Sequence, residues 1–588
     1  MNKIVTIISS IVESAFVECG YDSCYGNVTV SNRPDLCQYQ CNGAMAAAKV
    51  YKKRPSEIAS EVIEKLKASE IFSEVTIVNP GFINMNLKDE FISEYINKIN
   101  SCHSYGVEIT DNPKKIIIDY GGANISKPLH VGHLRTAIIG EALKRMGRFL
   151  GNEVIGDVHL GDWGLPMGMV ISEIKSRNPN LPYFSHKELD EYSSKAPFTI
   201  SDLEEIYPTA SKKAKEDSVF MEEAKMATFY LQNGKKGYLA LWRHILKIST
   251  EDLKKNYGKL NVEFDLWKGE SDCHKYIDKL TSYLKEHNYA YESEGALIID
   301  VAEPEDKKPI PPFILLKSDG AVLYSTTDLA TIYERVMLYK PDLIMYVVDK
   351  RQSLHFEQVF RCAKKTGIAG EALNLQFIGY GTMNGKDGKP FKTRDGGTMR
   401  LEELIKQVQQ KVKEKITMNN SDLDMDEIED ISRIVGLSSL KYGDLSNQIS
   451  KDYIFDIDKF TSFEGKTGPY ILYTIVRIKS ILRKAAERKL PVSSSIGKPQ
   501  SNTERDIMLK LSLFSDIVET SFEEKVTHKL CEYMFELSNL FNKFYQENKI
   551  LTEQNLELQG SWLSLLSLIK GVLETCCSLL AIEVPERM

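Results

Sequence analysis

A short, wholly apolar run, Ile116-Ile117-Ile118, stops abruptly at Asp119-Tyr120-Gly121-Gly122. Successive residues of a strand point to opposite faces, so this one needs cover on both sides, as a parallel strand in a layered sheet has. From Leu134 the pattern turns helical: Ile138, Ile139, Ala142, Leu143, Met146 and Leu150 recur mostly at three- and four-residue steps, and Gly151-Asn152 ends the run. A second strand is expected over 154–160. Strand, helix and strand in that order make a βαβ unit, the beginning of an α/β, doubly wound parallel (Rossmann-like) sheet.

Around this unit the 588 residues divide by texture, and their number alone calls for several domains. Residues 1–110 read as a small α+β domain, with a helix from Ile4, a Lys-rich helical stretch over 44–68, and the alternating strand Phe82-Ile83-Asn84-Met85-Asn86-Leu87 after a turn at Asn79-Pro80-Gly81. Residues 111–380 carry the sheet, interrupted over about 175–310 by a polar, mostly helical insertion. The sheet texture resumes at 313–316, with strands expected at 322–324 and 343–348 and a helix between them to Tyr339. Residues 381–455 hold a loop with five glycines and Lys386, Lys389, Lys392 and Arg394, then a helical connection with an acidic, solvated run over 422–430. From 456 to 588 the chain reads as an all-helical bundle.

Composition closes off some alternatives. At 42% hydrophobic and 27% charged residues the chain is not disordered. The net charge, 75 − 82 = −7, argues against a protein that coats nucleic acid, although not against a local basic face. No apolar stretch reads as approaching the ~20 residues that span a bilayer, and the run from Ile4 to Val12 reads as a buried helix rather than a secretory signal. Cys19, Cys24, Cys37 and Cys41 fall close together, but four and three residues intervene within the pairs and no histidine helps. Buried, reduced thiols in a cytoplasmic protein are the expectation, rather than zinc.

The chemistry is expected where the first strand hands over to its helix, through Ala123-Asn124-Ile125-Ser126-Lys127-Pro128-Leu129-His130-Val131-Gly132-His133. Ligands sit there in an open α/β sheet, and free backbone N–H groups at a helix start favour anions. His130 and His133 fall on one side of the first turn, and Gly132 between them lets a flat ring or a phosphate approach the backbone. Two imidazoles so placed can stabilise a phosphoryl oxygen as charge builds on it. The same spacing also suits two histidines at a helix start with one in a capping role.

His-Val-Gly-His after a strand and an Asn-x-x-Lys-Pro segment resembles the signature of class I aminoacyl-tRNA synthetases, and the string from Ala123 to Arg135 resembles the arginyl-tRNA synthetases among them. Matching segments recur in order along the whole chain: Pro80-Gly81-Phe82-Ile83-Asn84, Gly161-Asp162-Trp163-Gly164, Tyr324 to Ala330, Arg351-Gln352-Ser353-Leu354-His355, Thr467-Gly468-Pro469-Tyr470 and Val584 to Met588.

The resemblance implies a ligase that joins arginine to ATP as arginyl-adenylate, releases pyrophosphate, and transfers arginine to the terminal ribose of tRNA(Arg). It implies catalytic roles for Lys127, His130, Gly132 and His133, and ATP or phosphate contacts from Ala123, Asn124, Pro128, His130, His133, Lys392 and Arg394. Arginine would meet Asp119, Asn124, Tyr324, Asp328 and Gln352, carboxylates being what a permanently charged, planar guanidinium needs. The second class I signature, a lysine-rich mobile loop, is altered here to Pro390-Phe391-Lys392-Thr393-Arg394, with Lys127 the expected substitute for its missing lysine. Mg²⁺ is expected to arrive with ATP, and no protein-bound metal is expected.

The C-terminal bundle would read the anticodon. From Tyr470 to Leu490 six Lys or Arg stand against one Glu, a local charge of +6 − 1 = +5, with Tyr470, Tyr473 and Arg477 beside an apolar face of Ile471, Ile475, Ile478 and Leu482. Unstacked bases pack on tyrosine rings while cations neutralise phosphates. By resemblance Tyr545 and Met588 join this surface, Phe82 and Asn84 face the tRNA elbow, and the protein works as a monomer; strand packing is the other reading of Phe82 and Asn84. Two other readings stay open from sequence: a different class I synthetase, and a synthetase-like tRNA-binding protein without catalysis.

Overall fold

The computed structural model describes residues 2–588 apart from 126, 186, 319, 392–398 and 420–422. Its centre is a five-stranded parallel sheet. The first strand, β1 (Lys115–Asp119), leads through helix α1 (Gly132–Phe149) to β2 (Glu153–Leu160) and later to β3 (Leu266–Gly269). Helix α2 (Glu270–Glu286) follows directly, then α3 (Tyr324–Tyr339), β4 (Leu343–Asp349) and β5 (Asn374–Tyr380). Spatial order is β5-β4-β1-β2-β3, every pair parallel. The chain therefore builds outward from β1 in one direction and returns to its other side with β4. That leaves a switch point between β1 and β4, where a crevice opens at the carboxyl edge. Ile116 and Ile118 pack into one core cluster and Ile117 into another, which is the two-sided cover that the apolar run demanded.

Departures from the sequence reading have identifiable causes. Strand β3 lies inside the stretch expected to be a helical insertion; as a short edge strand it lacks a continuous apolar run. The helices Ile200–Glu216, Ser218–Gln232 and Lys236–Lys259, with α2, supply most of the helical part of that stretch. Phe313–Leu316 belongs to a separate antiparallel sheet with Ala296–Ile299 and Tyr291–Ser293. The expected strand at 322–324 is a single bridge from Val322 to Leu316, because α3 already begins at Tyr324. The Lys-rich stretch is two helices, Gly43–Tyr51 and Pro55–Leu66, split where Lys52 turns left-handed before Arg54-Pro55.

The C-terminal bundle includes α4 (Met425–Leu445), α5 (Gly468–Glu487), α6 (Thr527–Glu547) and α7 (Leu556–Leu579). By length and composition α7 is apolar enough to cross a membrane, contrary to expectation, but 67% of its most apolar window is buried inside the protein, as in the core helix of a bundle. The N-terminal domain, a four-stranded antiparallel sheet with helices, docks on this bundle. Ser93 Oγ and Asn97 Nδ2 both donate to the Ile496 carbonyl at 2.8 Å, and the Ile496 amide donates back to Asn97 Oδ1 at 2.8 Å. Arg505 grips Asp89 with two bonds of 2.7 Å.

Candidate active site

Beyond Asp119 the chain continues alongside the end of β2: the Ile125 amide donates to the Gly161 carbonyl and the Gly161 amide to that of Ala123, both at 3.1 Å. A Cβ at Gly161 would stand 2.1 Å from Asn124 Oδ1, so a side chain there would push the Asn124 amide out of its place. Ala123 is buried in this stretch, and Lys127 and Pro128 are half-buried. At the start of α1, the His130 amide donates to His133 Nδ1 and the Gly132 amide to His130 Nδ1, each at 3.1 Å. With both Nδ1 atoms accepting, each neutral ring carries its proton on Nε2. Burial, aided by the charge on Lys127, pushes His130 down to about 4. Burial, then His130 and Lys127, push His133 well below the usual histidine range. The two rings lie 3.9 Å apart between centroids, both uncharged at neutral pH.

The same segment is stitched to the far side of the altered signature loop. The Val131 amide donates to the Met399 carbonyl at 3.1 Å and the Leu401 amide to that of Leu129 at 2.9 Å. Lys392 and Arg394, expected as phosphate ligands, lie outside the described residues. Arg135, 1% exposed, ties α1 to the loop's entry and to the bundle. It pairs with Asp444 at 3.0 Å and donates to the carbonyls of Gly381 at 2.7 Å and Lys451 at 3.1 Å.

Acidic groups gather at the carboxyl edge. Tyr324, 59% exposed, and Asp328 lie in the first turns of α3, with Asp328 Oδ2 bonded to His355 Nε2 at 2.5 Å. The group that sequence reading missed is Glu270, the first residue of α2. A methyl at Gly164 would lie 3.8 Å from Glu270 Oε2 and 3.9 Å from the Tyr324 hydroxyl, so these two side chains border one small space. Burial, with Asp162 and Asp328 nearby, pushes the Glu270 carboxyl up to about 8. Asp162 holds the start of α2 in place by accepting from the Ser271 amide at 3.0 Å and hydroxyl at 2.6 Å. Asp119, expected to face arginine, accepts from the chain's own Arg335 through Oδ2 at 2.6 Å. Gln352 is exposed in the turn after β4, and Asn124 is half-buried.

Comparison with known proteins decides the family. Residues 96–457 match the family described as tRNA synthetases class I (R), catalytic domain, residues 471–588 the DALR anticodon binding domain, and residues 2–87 the arginyl tRNA synthetase N terminal domain. The chain is 60% identical over 588 residues to the arginine–tRNA ligase of Alkaliphilus oremlandii, covering 100% of both chains. The chain belongs to the arginyl-tRNA synthetases. It is 53% identical to the arginine–tRNA ligase of Agathobacter rectalis, again over 100% of both. The crystal structure of arginyl-tRNA synthetase from Plasmodium falciparum, 27% identical, is similar with a TM-score of 0.80 over 100% of each chain.

In this arginyl-tRNA synthetase the bundle brings three of the expected RNA-facing residues together. Arg477 lies 4.7 Å from the Tyr473 ring and 5.4 Å from the Tyr545 ring, and both tyrosines are exposed. Asn542 accepts from Arg477 at 2.6 Å and donates to the Tyr470 hydroxyl at 3.0 Å. Met588 is half-buried against the core. In the N-terminal domain Phe82 is half-buried, while Asn84 is only 4% exposed and accepts from Gln40 at 2.8 Å. Asn84 thus packs within the sheet beside Gln40.

Proposed function

We propose that this synthetase joins arginine to ATP at the β1–β4 crevice and then transfers it to the 3′-terminal ribose of tRNA(Arg). The observation that carries the choice of amino acid is that Glu270 and Tyr324 border one small space with Asp328 nearby, a set suited to a guanidinium fork. Asn124 and Gln352 orient the α-amino and carboxylate groups. One carboxylate oxygen of arginine attacks the α-phosphorus, the bond to the bridging oxygen breaks, and pyrophosphate leaves with Mg²⁺. The Nε2–H groups of His130 and His133 donate to the phosphoryl oxygens as charge builds, on a backbone shaped by Ala123, Pro128 and Gly132. Lys127, joined by Lys392 and Arg394, neutralises the phosphates. The protein acts as a cytoplasmic monomer; its ten cysteines are all free thiols, which suits a reducing compartment.

Pyrophosphate exchange with each amino acid, with and without tRNA, tests this reading. Exchange is expected with arginine alone and only when tRNA(Arg) is present. Exchange with lysine or glutamine overturns the pocket, and no exchange under any condition supports a non-catalytic tRNA-binding protein.

On the bundle, Tyr473→Ala removes one stacking ring and is expected to weaken tRNA binding by roughly tenfold. The exchange rate at saturating tRNA should not change. Wild-type affinity in a filter-binding assay would take Tyr473 out of the RNA surface.

A further inference from the structure

Beside the pocket lies a second acidic group, built around the chain's own cation. Among the described residues, Asp119, Asp157 and His159 are the one set of three metal-capable side chains whose ligand atoms lie within 4.8 Å of one another. The chain supplies a cation of its own there: Arg335 Nη2 donates to Asp119 Oδ2 and to Asp157 Oδ2, both at 2.6 Å. Arg335 is 1% exposed and lies 5.3 Å from the Tyr346 ring. Tyr346, Asp119 and Asp157 form one register row across β4, β1 and β2, so their side chains share one face of the sheet beside the switch point.

Helix α3 gives this clamp its bearing on the substrate. Asp328, Thr331 and Arg335 are spaced i, i+3 and i+7, which places them on one face of the helix. Each of the three meets a polar partner: Asp328 bonds His355 at 2.5 Å, Thr331 Oγ1 bonds His159 Nε2 at 3.3 Å, and Arg335 holds the two aspartates. The pocket side chains Tyr324 and Asp328 sit at one end of that seam and the buried guanidinium at the other. Both bonds leave one nitrogen, Nη2, so the guanidinium pins α3 at a buried point between β1 and β2, at the centre of the sheet.

We infer that Arg335 is a positioning residue for the amino-acid pocket: by binding Asp119 and Asp157 it fixes α3, and with it Tyr324 and Asp328, over the carboxyl edge. The inference rests on reading those two residues as the arginine pocket.

Arg335→Lys keeps the charge but loses the plane, and is expected to raise the arginine KM about tenfold while the ATP KM stays within about twofold. In Arg335→Ala, millimolar guanidinium should restore much of the arginine KM, measured against wild type at the same concentration. Urea, similar in shape but neutral, should not. Equal rises in both KM values, or equal rescue by urea, overturn the positioning role and leave a merely structural one. If Arg335→Ala does not fold by circular dichroism, Asp157→Asn, which keeps the volume, carries the test; an unchanged arginine KM there overturns the inference. Glu270→Gln separates the two levels. If it leaves the arginine KM unchanged, the pocket reading falls; if it raises it while Arg335→Lys does not, only the positioning role falls.

Discussion

Replacing His133 with alanine is expected to slow arginine activation by about 10²–10³ with little change in the ATP KM. The ring is buried, uncharged and held in one tautomer by the His130 amide, so its Nε2–H is oriented before ATP arrives. A preoriented donor contributes mainly in the transition state, where the phosphoryl oxygens gain charge, and its loss therefore falls on the rate constant. His133→Asn can accept from the same amide and donate with its own N–H, so it should recover part of the loss. Because burial holds the ring well below the usual histidine range, lowering the pH from 8 to 6 should not switch this group off. Single-turnover adenylate formation measures the effect; a wild-type rate in His133→Ala would remove this imidazole from the mechanism.

Glu270→Gln is expected to raise the arginine KM by about 10², since truncating a buried charge partner strands the other ion. The facing groups are Asp162, Asp328 with its partner His355, and Tyr324. Burial holds this carboxyl up at about 8, so near neutral pH it must release its proton to meet a guanidinium. Arginine binding should tighten as pH rises towards about 8 and level off above it. Calorimetry in buffers of different ionisation enthalpy should detect the released proton, and no buffer dependence at pH 7 would contradict it. The stability effect has the opposite sense. The folded value lies above the ordinary 4.5, so this group's contribution is fully present below pH 4.5 and is lost as pH rises to about 8. Glu270→Gln should therefore gain on wild type across that window, by at most about 1.4 kcal/mol per pH unit. Thermal midpoints of the two proteins that stay parallel from pH 5 to 8 would refute the shift.

What the sequence made legible was local. The apolar run of β1, the helical steps of α1 and the His-Val-Gly-His string each lie within a few residues, and each stands where expected. Tyr324 and Asp328 came from the resemblance, across an expected strand-to-helix junction, and both lie instead within α3. Glu270 was not legible, because β3 before it is a four-residue edge strand inside a polar stretch; the acidic residues opening a new helix after Trp267 were its only signal. The engagement of Asp119 was hidden for a different reason: its partner, Arg335, is 216 positions away. The bond that Gln40 makes to Asn84 was hidden in the same way, since the two lie 44 positions apart.

The docking of Ser93 on Ile496 joins positions 403 residues apart, and this has a consequence for synthesis. At ~5–20 residues per second, the ribosome needs roughly 20–80 s to deliver the second partner after the first. The N-terminal domain must spend that interval with its docking face uncovered, so a nascent chain stalled before the bundle emerges should be selectively open to proteolysis there.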